Sequence, residues 1–249
     1  MMLTPFDVGW TVWAVFLVAG AAKGLVGLGL PTVAMGLLAL LMAPPEAAAM
    51  VLIPSLATNV WQMLAGGHLW PLVRRFWPML VAASLATVLG VGLMSRLDSA
   101  HVTLALGAVL VVYGALGLGS IELKVSPNQE PWLSPAVGLG TGLVTGATGI
   151  FVLPAVPYLQ ATGLARDALV QAMGLSFTVS TVALGIGLAG DGHLSVASVQ
   201  QSMAALVPAA IGMMAGQRLR HRLEAKPFRR LFYIAVTLLG GQLVVRALF

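Results

Sequence analysis

The chain has 249 residues, of which 59% are hydrophobic and only 8% charged, and its mean hydropathy is +0.95; soluble domains run near about 45–50% and about 25%. This leaves room for several membrane spans and for no soluble domain of useful size, and the net charge of +5 reads as a topology signal rather than a nucleic-acid footprint, because the bases gather in a few short loops. There is no cysteine, so disulfide, thiolate and iron–sulfur chemistry are excluded.

The N-terminal stretch "MMLTPFDVGWTV" lacks a basic region and carries Asp7, so it is read as a permanent part of the fold rather than a cleaved signal peptide. Apolar runs follow at about 8–43, 47–66, 76–95, 101–119, 133–161, 168–189, 197–217 and 227–248. A barrel would alternate over segments of about ten residues; these runs predict an all-α polytopic membrane protein. Most suit one helix, since a span needs about 20 residues at about 1.5 Å each. The first and fifth do not. Each is too long for one helix and short for two, and each is interrupted by glycine and proline: "AAKGLVGLGLPTV" at 21–33 and "GLGTGLVTGATGIFVLP" at 138–154. Each is expected to form a short hairpin of two segments.

The chain also resembles itself. "GLVGLGLPTV" (24–33) matches "GLVTGATGIFVLPAV" (142–156), "AAAMVLIPSLAT" (47–58) matches "VQAMGLSFTVST" (170–181), and "GGHL" (66–69) matches "DGHL" (191–194), all in the same order. The reading is two repeats of about five segments, 1–119 and 133–249, joined by a cytoplasmic linker at 120–132, within one integrated membrane domain. An odd number of segments inverts the second repeat. Arg74, Arg75, Lys124, Arg166 and the cluster Arg218, Arg220, Arg222, Lys226, Arg229 and Arg230 then share the cytoplasmic side, leaving Arg96 and Arg246 outside. Both termini are expected to face outward.

Inverted repeats with paired broken segments point to a secondary transporter whose site lies near the midplane. Gly24, Gly27 and Gly29, with Gly142, Gly146 and Gly149, permit close approach of backbone to a ligand. Thr145 and Thr148 add hydroxyls, and the half-helix N-termini add positive dipole ends that favour an anion. Lys23 lies at the deep end of the first hairpin with no acid available, because all eight acids read as loop or interface residues. Either the substrate is its counter-ion, or the side chain snorkels to the cytoplasmic face. Ser55, Thr58, Asn59 and Gln62 fall on one helix face at i, i+3, i+4 and i+7, and Gln171, Thr178 and Thr181 make a similar stripe. These stripes serve either a pathway or interhelical hydrogen bonds. His68 and His193 lie on opposite faces and are read as interfacial loop residues; no catalytic residue, metal site or cofactor is expected. The Arg218–Arg230 cluster suits anionic lipid headgroups. The Gly/Ala-rich "GAVLVVYGALGLG" (107–119) permits close contact within the chain or in a homodimer.

The segments "GLVGLGLPTV" and "GLVTGATGIFVLPAV", the two-repeat layout and the "GGHL"/"DGHL" turns resemble the TauE/SafE family, also called the sulfite exporter or toluene-sulfonate uptake permease family. The resemblance covers almost the whole chain. It implies a multi-pass inner-membrane permease, not an enzyme, for a small sulfur-containing anion such as sulfite, a sulfonate or thiosulfate. Many members are richer in glycine where this chain has "GLGLP", and the lysine before Gly24 is outside the loose family pattern. Without a membrane-embedded acid relay, export driven by the membrane potential is the expected mode; coupled uptake and a non-transporting scaffold are the alternatives.

Overall fold

The computed structural model describes residues 5–119, 123–220 and 225–249. The start of the expected linker at 120–122 and Arg222 lie outside the described residues, as does the side chain of Lys226. Ten helices follow in chain order: α1 (Pro5–Val26), α2 (Leu30–Leu38), α3 (Pro44–Leu64), α4 (Leu69–Arg96), α5 (Ser99–Leu118), α6 (Glu130–Thr148), α7 (Ala155–Ala161), α8 (Arg166–Gly190), α9 (Val196–Arg220) and α10 (Ala225–Leu248). No strand occurs among the described residues. Seven helices, all but α2, α6 and α7, are long and apolar enough to cross a membrane.

The two anomalous runs break at their glycines. Gly27 and Gly29 take φ of 81° and 110° and Gly149 takes 72°, the left-handed region that side chains disfavour. Pro31 then opens α2, where its missing N–H is no loss. The arms are unequal, against the expectation of two short segments. α1 has 22 residues and α6 has 19, whereas α2 has 9 and α7 has 7. At about 1.5 Å per residue α1 is about 33 Å long, and α2 returns only about 13 Å.

Helices meet through small residues, as expected where lipid removes the hydrophobic drive for association. On α6, Gly138, Gly142 and Gly146 recur every fourth residue against α4. A Cβ at each would lie 2.3 Å from Met79 O, 2.4 Å from Ala83 O and 2.5 Å from Thr87 O. The α1–α9 seam is built alike, with Gly20 on Ala209, Gly24 on Met213, and Gly212 and Gly216 answering from α9. Gly107 and Gly114 pack on α10 of the same chain, so that stripe is used internally.

These pairings have a regular order. α4 packs on α6 as α9 packs on α1, α4 on α8 as α9 on α3, and α3 and α5 pack on α8 and α10. These principal pairings map onto one another, or onto themselves, when each helix is exchanged for the one five places along. α3 and α8 run antiparallel: Gln62 bonds Val170 O while Leu52 lies beside Gly185. α5 and α10 do likewise, with Gly107 beside Val244 and Gly117 beside Tyr233. α1 and α9 run parallel, as do α4 and α6.

All six tryptophans, Trp10, Trp13, Trp61, Trp70, Trp77 and Trp132, are exposed, and Trp61, Trp70 and Trp132 lie in end turns of α3, α4 and α6, where an aromatic belt meets headgroups. Arg75 binds Glu130 at 2.5 and 2.8 Å and donates to Thr162 O, just past α7, at 3.2 Å. Arg246 donates to Leu40 O, just past α2. Each short helix thus has a carbonyl at its outer end held by an arginine of another helix. Ser95 donates to Asp191 (2.6 Å) and meets His193 Nε2 at 3.1 Å, while His68 offers its backbone N–H to Gln171.

Pro54 interrupts α3 and leaves Met50 O without its intrahelical donor. Ser202 of α9 supplies one at 2.8 Å, and Ile53 N–H donates back to the same hydroxyl at 3.0 Å. Ser202→Ala leaves buried backbone unsatisfied and is expected to lower stability by about 1–3 kcal/mol, read as a depressed melting temperature in detergent.

Candidate functional site at the chain breaks

Lys23 sits in the last turn of α1, where the helix dipole favours a cation, and is only 5% exposed. Its Nζ donates to Thr58 Oγ1 at 3.1 Å and to Asn59 Oδ1. The side chain therefore stays inside the bundle instead of reaching for an interface. Neither partner is an acid, and no ion pair involves Lys23 among the described residues. The direction of each bond is fixed by the next one. Thr58 spends its hydrogen on Pro54 O (2.8 Å), so toward Lys23 its oxygen only accepts. Asn59 Nδ2 donates to Thr181 Oγ1 (3.4 Å), whose hydrogen goes to Phe177 O (2.6 Å). A lysine at bilayer depth costs about 2.5–3.5 kcal/mol or more, and a hydrogen bond to a charged group returns about 1.5–3 kcal/mol. Two such bonds offset the burial and leave one ammonium N–H unused.

One turn earlier on α3, Ser55 Oγ is fully buried with no partner. It lines a narrow crevice together with Met35 of α2, Gly149 and Phe151 of the second break, and Thr181 of α8. Both repeats contribute to its wall. At no point is it wide enough to seat a water molecule. Around it the breaks leave amides free: Gly27 N–H bonds Lys23 O and Gly149 N–H bonds Thr145 O, whereas Leu28, Gly29, Phe151 and Val152 donate to nothing among the described residues. Ser55→Ala removes an unsatisfied hydroxyl and is expected to leave stability unchanged or raised by about 1 kcal/mol. If the hydroxyl serves a ligand, the same change weakens anion affinity by about tenfold. A thermal melt with and without anion separates the two effects.

A family model described as Sulfite exporter TauE/SafE matches residues 12–243. The chain belongs to the TauE/SafE sulfite exporter family. No curated protein and no solved structure matches it. Membership makes it a multi-pass membrane protein of a transporter family that moves sulfur anions such as sulfite.

Within this TauE/SafE chain the residues singled out from the sequence divide in two. Ser55, Thr181 and Gly149 line the crevice, and Lys23, Thr58 and Asn59 are joined to it through the Asn59–Thr181 bond. Gly24 and Gly146 do not; they are pressed into the α1–α9 and α6–α4 seams. Gln62 donates to Val170 O (2.9 Å) and Gln171 to Met63 O (2.8 Å) and Gly66 O (3.1 Å), a reciprocal tie between α3 and α8. Thr145, Thr148 and Thr178 donate to Thr141 O, Val144 O and Gly174 O of their own helices. Gly27 faces open space, and Gly29 lies against the Phe232 ring.

The dipole expectation needs correcting. Each break presents the N-terminal end of a short helix but also the C-terminal end of a long one, and these oppose one another. The buried formal charge next to the first break is Lys23. Its counterpart in the second repeat, by the alignment of Gly24 with Gly142, is Thr141, which bonds Val137 O. Met35 and Phe151 line the crevice without any sequence signal to separate them from ordinary core.

Proposed function

We propose that this TauE/SafE protein is a secondary permease of the inner membrane that exports a small sulfur oxyanion down the membrane potential, through a site formed by Lys23, Ser55, Asn59 and Thr181. The observation that carries this reading is a buried lysine held by neutral oxygens, with an unpartnered hydroxyl one turn away on α3. An anion completes both. Export needs no proton relay, since the inside-negative potential supplies about 2.3 kcal/mol per charge per 100 mV.

The repeats are inverted in this reading, which the antiparallel runs of α3 with α8 and of α5 with α10 support. These directions bring Arg74, Arg75, Arg166, Arg218 and Arg220 to one end of the bundle. By the excess of basic residues that end is cytoplasmic and both termini are outside. In this reading the narrow crevice is the site before it opens, and rocking of one repeat against the other widens it toward either face.

The test loads purified protein in proteoliposomes with radiolabelled sulfite and imposes an inside-negative potential. Efflux above that of protein-free vesicles, rising with the potential, is the expected result. Efflux equal to that of protein-free vesicles sinks the permease reading and leaves the scaffold alternative.

A further inference from the structure

The wall of the site holds one formal charge. α2 has no ionisable side chain, Glu46 of α3 and the Arg166–Asp167 pair of α8 lie in first turns, and Arg218 and Arg220 of α9 lie in a last turn. Among the described residues Lys23 is the one buried formal charge. Its two acceptors are fixed as acceptors whether or not a ligand is present, because Thr58 and, through Thr181, Asn59 have their hydrogens committed elsewhere. The empty site thus holds the Lys23 Nζ by two acceptors, and its remaining N–H and the Ser55 hydroxyl are side-chain donors left for a ligand.

We propose that the loaded site is electrically neutral and the empty site carries the single positive charge of Lys23, so that the transported species is a monoanion and the membrane potential drives the return of the empty carrier rather than the outward passage of the anion. This rests on the permease reading above. The charges balance over a cycle: the loaded carrier moves outward with none, and the empty carrier moves inward with one positive charge. One negative charge leaves per turnover. A dianion such as sulfate leaves the loaded site with an uncompensated negative charge in a crevice walled by Met35 and Phe151, which the low dielectric there penalises.

The consequence is a separation between two transport modes. Net efflux into anion-free medium requires the empty carrier to return; exchange against the same anion outside uses only the loaded carrier. The experiment measures both in proteoliposomes under potassium diffusion potentials set with valinomycin. The probe is labelled methanesulfonate, a monoanion at any working pH, and the same two modes are then run with labelled sulfite. Net efflux is expected to rise with an inside-negative potential, by up to about 50-fold per 100 mV if the charge crosses the whole field. Exchange is expected to change by less than about twofold. Lys23→Arg, which keeps the charge, is expected to keep this pattern. Exchange that follows the potential as steeply as net efflux means a charged loaded site and overturns the inference while the permease reading stands. So does net efflux that ignores the potential and carries protons, which means the lysine returns uncharged, and so does sulfate carried as readily as methanesulfonate. No flux of either probe in either mode overturns the permease reading itself.

Discussion

Lys23→Gln is expected to cut sulfite efflux by at least about 100-fold, about 2.7 kcal/mol, while the protein still folds. The glutamine amide carries two N–H donors for the two acceptors that the Lys23 Nζ now meets, Thr58 Oγ1 and Asn59 Oδ1. The neighbouring α1–α9 seam rests on Gly20 and Gly24, not on the lysine. What disappears is the positive charge, and with it the charge-assisted bond to an anion in a site shielded from water. The measurement pairs initial efflux rates in proteoliposomes with melting temperatures of the same preparations. A melting temperature within a few degrees of wild type together with unimpaired efflux removes Lys23 from the transport site. Lys23→Arg is the control for charge: its fork is bulkier, so partial activity is expected where Lys23→Gln has next to none.

Gly146→Val is expected to abolish the folded protein, by more than about 4 kcal/mol. The added Cβ meets Thr87 O and the Gly90 backbone at 2.5 Å. α6 cannot step back, because Gly142 is pressed against Ala83 O at the same seam. Gly140→Ala on the same helix is the contrasting case. Its Cβ finds only Pro154 at 3.4–3.5 Å, an ordinary contact, and the change is expected to be neutral or to gain up to about 1 kcal/mol of helix propensity. Gly27→Asn also separates packing from conformation: nothing lies near the new side chain, but φ is +81°, a region asparagine tolerates. Yield of monodisperse protein and melting temperature report all three. Because Gly146→Val fails by clash alone, lost flux in that variant says nothing of a ligand; Gly27 is the better probe of the break.

Why some of this was legible in the sequence follows from which constraints leave a unique trace. An apolar run at 8–43 cannot be one helix, and Gly27, Gly29 and Pro31 mark where it turns, so both breaks could be placed. The inequality of the arms left no such trace, since run length does not say where the turn divides it. Glycine was ambiguous for a chemical reason: the missing side chain that admits a ligand also admits another helix. Gly24, Gly142 and Gly146 turn out to serve the second purpose, which their spacing of four with Gly20 and Gly138 could have suggested. The polar stripe on α3 was visible as a stripe, but its far end was not. Gln62 reaches across to the backbone of α8 while Ser55 stays unpartnered, a difference set by which neighbour each meets in three dimensions. Thr58 and Asn59 as acceptors for Lys23 are likewise tertiary facts, since 35 and 36 residues separate them from it.

The central crevice between Ser55, Gly149 and Thr181 is narrower than a single water molecule everywhere along its length. A file of water is what protons hop along, and a crevice this narrow has no room for one. In this conformation the crevice at Ser55 gives protons and small cations no wet route between the two repeats.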